Sequence, residues 1–263
     1  MNATAVYRCQ GVLIGLAAGD RIGGPIRMAM HVAESLLACS AFNPTEILSR
    51  YLRWWREGAF DSGPVSARAL ELMVAGIPHS DAVQQVHAEF AGRTAGCNPA
   101  HRSSPLSMLA SIADDELHRC AQAEAALTHF DALAGEVAAT VNNLCRSLIR
   151  GEGWDNTLQE CGLTVPVSPG INNGFAPDVL RAAVYFVGTS ADFGEALERS
   201  VSFAGAANYS PVLVGAIAGS RWSASAIPAS LLAHANLLPR VRAVAEALSA
   251  TWNEPVRDPK GMD

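Results

Sequence analysis

The chain has 263 residues, 49% hydrophobic and 17% charged, with a formal net charge of −6 and a pI near 5.6. That length and apolarity allow a sizeable buried core and argue against disorder. The acidic balance leaves no basic face of the kind a nucleic-acid footprint needs, whereas phosphate-bearing small ligands stay open, because backbone amides bind phosphate without a basic domain.

Helical periodicity runs through the chain. Gly11, Gly15 and Gly19 recur every four residues along one face of a first helix, a spacing suited to close helix–helix contact. Residues 25–40 form a second helix, with Met28, Val32, Leu36 and Cys39 on one stripe. Asn43-Pro44-Thr45-Glu46 opens a third: Asn43 caps it, Pro44 fits its first turn, and it stops near Gly58. Residues 64–75 follow, ended by Gly76 and Pro78, and Ser80 then caps a helix carrying Val83, Val86 and Phe90. Residues 132–151 form a long helix with Val137, Val141, Leu144 and Leu148 on one side. Further helices are expected over 178–187, 192–204, 211–222, 229–237 and 239–248.

Alternating strand patterns are nearly absent, and no fixed-period repeat points to a solenoid. The expectation is an all-α, single compact multi-helix domain over residues 1–252 with a polar tail at 253–263. The long segments 92–106 and 162–174 are rich in glycine, proline and asparagine, and long ordered loops often carry function. The six scattered cysteines include no Cys-x-x-Cys pair, so zinc and thioredoxin-like sites are not indicated. No secretory order marks the N-terminus, and its apolar stretch is too short to span a bilayer. A cytoplasmic protein with reduced thiols, and with no membrane or nucleic-acid partner, is expected.

Several residue types in these segments suit chemistry. Asp20 follows Gly19 at a helix end, where it either binds the next loop's backbone or lines a cleft beside Arg21. Asp61 precedes Ser62-Gly63-Pro64 and a helix start, where a capping carboxylate gains from exposed amides. In the stretch Gly96-Cys97-Asn98-Pro99-Ala100-His101-Arg102, Gly96 and Asn98 tolerate unusual backbone angles that turn amides inward on a phosphate. His101 and Arg102 add donors there; the alternative is a buried structural loop with Arg102 paired to an acid elsewhere. Cys97 is either a thiolate held by amides or an inert buried thiol. His129 is either a core histidine or a group that orients a ligand. Ser210 fits an N-cap before Pro211, and Asn208 and Tyr209 stand beside it as directed polar groups.

Taken together, these segments resemble the ADP-ribosylglycohydrolase family from about residue 8 to residue 230. Gly11-Val-Leu-Ile-Gly-Leu-Ala-Ala-Gly-Asp20 is similar to that family's first helix and Gly-Asp corner. Asp61-Ser62-Gly63 resembles its Asp-x-Gly step, Gly96 to Arg102 its Gly-Asn-Gly-x-x-Met-Arg loop, Thr128-His129 its Thr-His step, and Gly215-Ala-Ile-Ala-Gly219 its closing helix. The resemblance implies an all-α fold and a ligand of the ADP-ribosyl type. It also implies two magnesium ions held by Thr-Asp-Asp-Thr and Asp-x-Asp-Thr motifs, and here the departures concentrate. The first motif is missing, the family's acidic residue after the Gly-Asp corner falls on Arg27, and the second motif falls on Ser210-Pro211-Val212-Leu213. Magnesium needs hard oxygen ligands, usually carboxylates, and proline, valine and leucine supply no side-chain oxygen. A site with no metal and no other cofactor is therefore expected.

The resemblance places Asp61 against the ribose as the acid/base candidate, with Asp20 as the other carboxylate. Arg27, Asn208 and Tyr209 would take over the ribose hydroxyls from the ions, with Gly96, Cys97, Asn98, His101, Arg102, His129 and Ser210 completing the ligand site. The expected function is binding of an ADP-ribose-like small molecule or an ADP-ribosylated substrate, with hydrolysis of its glycosidic bond without magnesium. The alternative is a non-catalytic member that binds a nucleotide-like ligand or a protein.

Overall fold

The computed structural model describes residues 3–232 and 234–252, and the polar tail expected at 253–263 lies outside them. The fold is all-α. Thirteen α-helices and several 3-10 turns account for the regular structure among the described residues, where the sole β-type pairing is an isolated bridge between Gly96 and Phe175.

Two helices, α1 (Ala3–Gly19) and α12 (Ser210–Trp222), run antiparallel through the middle of the molecule. Residues 11–20 and 210–220 are buried without interruption, as expected of helices enclosed on all sides. They touch backbone to backbone. A Cβ on Gly11 would lie 1.9 Å from the Gly219 carbonyl oxygen, one on Gly15 2.1 Å from that of Gly215, and one on Gly19 2.0 Å from that of Pro211. The glycine spacing thus marks a real close approach, reciprocated by glycines on α12. Its consequence is positional: the C-terminal end of α1 meets the N-terminal end of α12.

Around this pair pack α2 (Gly24–Cys39), α8 (Ala132–Arg150), α10 (Ala176–Gly188), α11 (Phe193–Ala204) and α13 (Leu238–Ser249). Next to them stand α3 (Pro44–Arg56), α4 (Pro64–Val74), α5 (His79–Glu89), α6 (Asn98–Arg102), α7 (Asp114–Ala125) and α9 (Trp154–Glu160). Caps follow the local sequence. Asn43 accepts from the Glu46 amide, Asp131 from that of Leu133, and Asp192 from that of Glu195. Between α4 and α5 lies a small second core of Val65, Ala69, Leu72, Ala82, Val83 and Val86.

Some expectations need correction. Ser80 does not cap α5, which starts at His79 behind Pro78; the Ser80 hydroxyl donates to Asp81 instead. Among the described residues of 229–237 the helical structure is a 3-10 turn, Ala229–Leu231, and His234 takes φ 59°, which a helix does not allow. Ser210 is the first helical residue of α12 rather than its cap, with its hydroxyl 3.0 Å from that of Ser200. The segment 92–106 is not loop throughout, since α6 and a 3-10 turn at Ser104–Met108 occupy most of its second half. Three helices escaped the periodicity. Two of them, α6 and α9, have five and seven residues, and α7 buries Leu117, Ala121, Glu124 and Ala125, a face whose hydrophobic signal is weak.

Arg146 of α8 anchors the segment after α6. Its guanidinium is 3% exposed and donates to the carbonyls of Leu106, Ser107, Leu109 and Ile112 and to Asp114.

The α1–α12 contact predicts a sharp contrast between two glycine substitutions. Gly15→Ala forces a methyl into a backbone carbonyl and should destabilise the protein by about 3 kcal/mol or more. Gly153→Ala meets nothing within 4 Å and has an ordinary φ of −69°, so at the N-cap of α9 it should cost no more than about 1 kcal/mol. Denaturant titration of both variants reads the difference.

Candidate functional site

Where α1 ends and α12 begins, Asp20 is fully buried and fully engaged. Its carboxylate accepts from the amides of Ile22 at 3.1 Å, Gly23 at 2.7 Å and Ile26 at 2.8 Å, and from the Asn208 side-chain nitrogen at 2.7 Å. Two of those amides belong to the turn after α1 and one to the start of α2, where a negative charge also suits the helix dipole. Asn208 in turn accepts from the Arg21 amide at 3.2 Å. Arg21 does not pair with Asp20. Its guanidinium donates to the Gly205 carbonyl at 2.9 Å and to the Ala207 carbonyl. Arg27 spends its charge nearby, donating to the Gly23 carbonyl at 2.8 Å with its guanidinium carbon 4.9 Å from the Phe60 ring centre.

Asp61 faces this corner from the loop before α4. It is not the cap of α4, because Gly63 holds that position at φ 75°. Asp61 itself sits at φ 52°, a left-handed conformation that aspartate tolerates better than most residues. The loop presses on the first turn of α2 so closely that a Cβ on Gly24 would lie 2.2 Å from the Asp61 carbonyl oxygen. Asp61 Oδ2 is buried and has no hydrogen-bond partner. Burial, and then the neighbouring charge of Asp20, push its carboxyl above the usual range, against hydrogen bonds from Gly24 and Asn208.

His101, on α6, enters the same space. It is 4% exposed, and its Nε2 is buried without a partner. Burial lowers its imidazole to about 4, with the Asp20 charge and the Tyr209 backbone pulling the other way. Cys97, just before α6, is pushed up to about 12 by burial, and the charge of Asp61 acts in the same direction. It is a neutral thiol at physiological pH, not the amide-stabilised thiolate. Asp61, Cys97, His101, Asn208 and Tyr209 line a pocket of about 200 Å³.

A larger cleft of about 550 Å³ shares Cys97 and Tyr209 with that pocket. The start of α4, the strip 95–98, His129 and Phe175 form its walls, and Arg93 stands exposed at its edge. The strip does not form the expected inward-facing nest of amides. Gly96 and Asn98 keep negative φ; the Cys97 amide donates to the Gly174 carbonyl at 3.0 Å, and the Ala176 amide to the Ala95 carbonyl at 3.0 Å. A Cβ at Gly96 would meet His129 Nε2 at 3.4 Å, an ordinary van der Waals distance. Tyr209 is 37% exposed, and its ring covers Gly174, where a Cβ would lie 3.2 Å from Cε1.

Arg102 is withdrawn from the cleft. Its fully buried guanidinium pairs with Glu124 at 2.7 Å and donates to Asn98 at 2.8 Å, Ser66 at 3.1 Å and Thr128 at 2.9 Å. Tyr51 completes the cluster by donating to Glu124 at 2.7 Å, and His129 Nδ1 meets the Thr128 hydroxyl at 2.8 Å. The group ties α3, α4, α6 and α7 together. Arg102 thus occupies the structural role weighed for it, and a phosphate contact would require breaking the ion pair. Ser210 is likewise turned inward, 1% exposed against Ser200.

The family model of the ADP-ribosylglycohydrolases matches residues 26–256. The chain belongs to the ADP-ribosylglycohydrolase family. A solved structure described as an ADP-ribosylglycohydrolase-related protein complex is similar over 94% of this chain and 98% of its own, with a TM-score of 0.75 and 25% sequence identity. No curated protein gives a match. The protein is accordingly glycohydrolase-like in fold and family. The family match begins inside α2, so α1 and its Gly-Asp corner stand outside it.

The donor set does not fit the two magnesium ions that the family implies. The Asp20 oxygens already take hydrogen bonds from four donors, and Arg27 stands where the resemblance would put an acidic residue. The first turn of α12 offers Pro211, Val212, Leu213 and a Ser210 hydroxyl already paired with Ser200, and no cluster of three or more His, Cys, Asp or Glu among the described residues is arranged for a metal. Two residues of the site carried no sequence signal. His234 places Nε2 2.5 Å from the Asp20 carbonyl oxygen and packs over Gly23, yet it follows Asp20 by more than two hundred residues. Arg93 is a lone cation whose place at the cleft edge follows only from the fold.

Two outcomes follow for stability. His31, His101 and His129 all titrate low because burial penalises the imidazolium, the first two at about 4. The unfolded chain takes up these protons near pH 6.5 while the native state resists, so stability should fall as pH drops from about 6.5 towards 4. Asp61 opposes weakly with the reverse sign, its contribution fading as pH rises through its raised pKa. His101→Gln should flatten the acid slope by up to ~1.4 kcal/mol per pH unit, read from urea midpoints across that window. Separately, Arg102→Ala strands Glu124 as a buried charge and should cost about 3–5 kcal/mol in the same assay.

Proposed function

We propose that the protein binds an ADP-ribosyl or related ribosyl ligand, with the ribosyl end in the pocket beside Asp61 and the remainder along the cleft, and that it does so without magnesium. One observation carries the reading: the 550 Å³ cleft and the 200 Å³ pocket share Cys97 and Tyr209 in their walls, and the smaller holds a carboxylate with an unpartnered oxygen. The cleft has the volume usual for small-molecule sites, about 300–1,000 Å³. Family membership favours the ligand class.

Asp61 is the carboxylate suited to chemistry. Its raised pKa and free oxygen suit protonation of a departing group at a glycosidic carbon. Asp20 supports the corner rather than activating water. Two ions would contribute several kcal/mol to transition-state stabilisation, against about 1 kcal/mol for a single hydrogen bond. Binding is therefore the primary role, and any hydrolysis is slow and runs through Asp61. The saturation of Asp20 favours the second reading, a non-catalytic member binding a nucleotide-like ligand or a protein. A cytoplasmic setting suits the six unpaired thiols.

Thermal denaturation with and without ligand tests this. ADP-ribose at about 100 times its Kd should stabilise the chain by ~2.7 kcal/mol in the presence of chelator, and magnesium alone should not shift the transition. A chelator-sensitive magnesium shift overturns the metal-free reading. Incubation with ADP-ribosyl-arginine, ADP-ribosyl-serine and O-acetyl-ADP-ribose then separates the roles: turnover abolished by Asp61→Asn assigns hydrolysis, and binding without turnover assigns the non-catalytic role.

A further inference from the structure

Two buried polar atoms without partners belong to residues that line one small pocket: Asp61 Oδ2 and His101 Nε2. The other atoms of this kind among the described residues belong to side chains outside that pocket, including Ser35, Glu124 and Thr157. An unsatisfied buried polar atom costs about 1–3 kcal/mol, and folded proteins keep few of them. Two beside one space of about 200 Å³ call for partners from outside the chain, and a ligand that displaces water there can supply them.

The walls specify the chemistry of that ligand. No arginine or lysine lines the pocket. Arg21 is spent on the carbonyls of Gly205 and Ala207, and Arg27 on that of Gly23. Asp20 lies close enough for its charge to act on both Asp61 and His101. An anion entering here would meet the carboxylate of Asp61 with no cationic side chain in the walls to pair with. A hydroxyl group fits: it donates to a carboxylate, and it both donates to and accepts from an imidazole that burial keeps neutral. The geometry holds both residues in place. His101 is fixed in α6 by its amide on the Cys97 carbonyl at 3.1 Å, and Asp61 by the loop pressed on Gly24.

We propose that His101 and Asp61 together grip a pair of neighbouring hydroxyl groups on the ligand directly, with no cation between protein and sugar, and that His101 is a specificity-determining residue of the site. The proposal rests on the ribosyl end occupying this pocket. It assigns His101 to a neutral diol, not to a phosphate.

Calorimetry on the full chain, in chelator, compares ADP-ribose with ADP, which lacks the terminal ribosyl diol. Wild type should favour ADP-ribose about tenfold or more. His101→Ala and Asp61→Asn should each weaken ADP-ribose about tenfold and leave ADP unchanged. His101→Gln, which keeps a donor and an acceptor, should retain most of the preference. A misfolded variant would lose both ligands together, so the ratio isolates the contact. Wild type that binds ADP-ribose with a ratio indifferent to His101 overturns the grip and leaves the ligand reading standing. So does affinity that magnesium raises tenfold and chelator removes. Wild type that binds ADP-ribose in neither condition overturns both.

Discussion

The contact on which the rest depends is the backbone-to-backbone packing of α1 on α12. Glycines at 11, 15 and 19 meet Gly219, Gly215 and Pro211 at distances that leave no room for a Cβ. Two helices this close act as one rigid strut, because neither can shift without driving a carbonyl into the other. The strut aligns the Asp20 corner with Asn208, a separation of 188 residues in sequence closed by one hydrogen bond of 2.7 Å. The floor of the small pocket is therefore set by the core itself, and only its roof, the Asp61 loop and α6, comes from elsewhere.

Most of the polar groups that the family resemblance draws towards a ligand are consumed by this scaffold. Asp20 organises the turn into α2, Arg102 bonds four helices through Glu124 and its neighbours, and Ser210 faces Ser200. Each is satisfied internally, as buried polar groups must be. Against that background the unsatisfied atoms of Asp61 and His101 stand out. Where the resemblance would put the magnesium-binding carboxylates, this chain has Ser210 turned onto Ser200, Val212 and an arginine turned onto a carbonyl, and unpartnered polar atoms stand instead on α6 and the loop before α4.

Much of the architecture could be read directly. The Asn43 cap, the stripe on α8 and the segment 192–204 are local patterns, and each places its element within a residue or two, while the glycine spacing marks the contact face of α1. The failures were local as well. The buried face of α7 carries little hydrophobic contrast, and α6 and α9 are shorter than the period needs to show itself. In the site, Asp61 was identified as a carboxylate of interest, but on the supposition that it faces the ribose, and its alternative as a helix cap gave way to Gly63. Gly96 and Asn98 suggested a phosphate nest because they permit unusual backbone angles; permission is not adoption, and the strip bonds to residues 174–176 instead.

The sequence alone determined the all-α class, the close helix pair and the family framework, because these rest on periodicities and spacings within single segments. Only the tertiary structure decided which polar groups are spent and which are free. Arg102 and His101 are neighbours in one short helix, yet one is locked to Glu124 and the other opens on the pocket. That difference depends on burial and on partners brought in from distant segments, which no local pattern encodes.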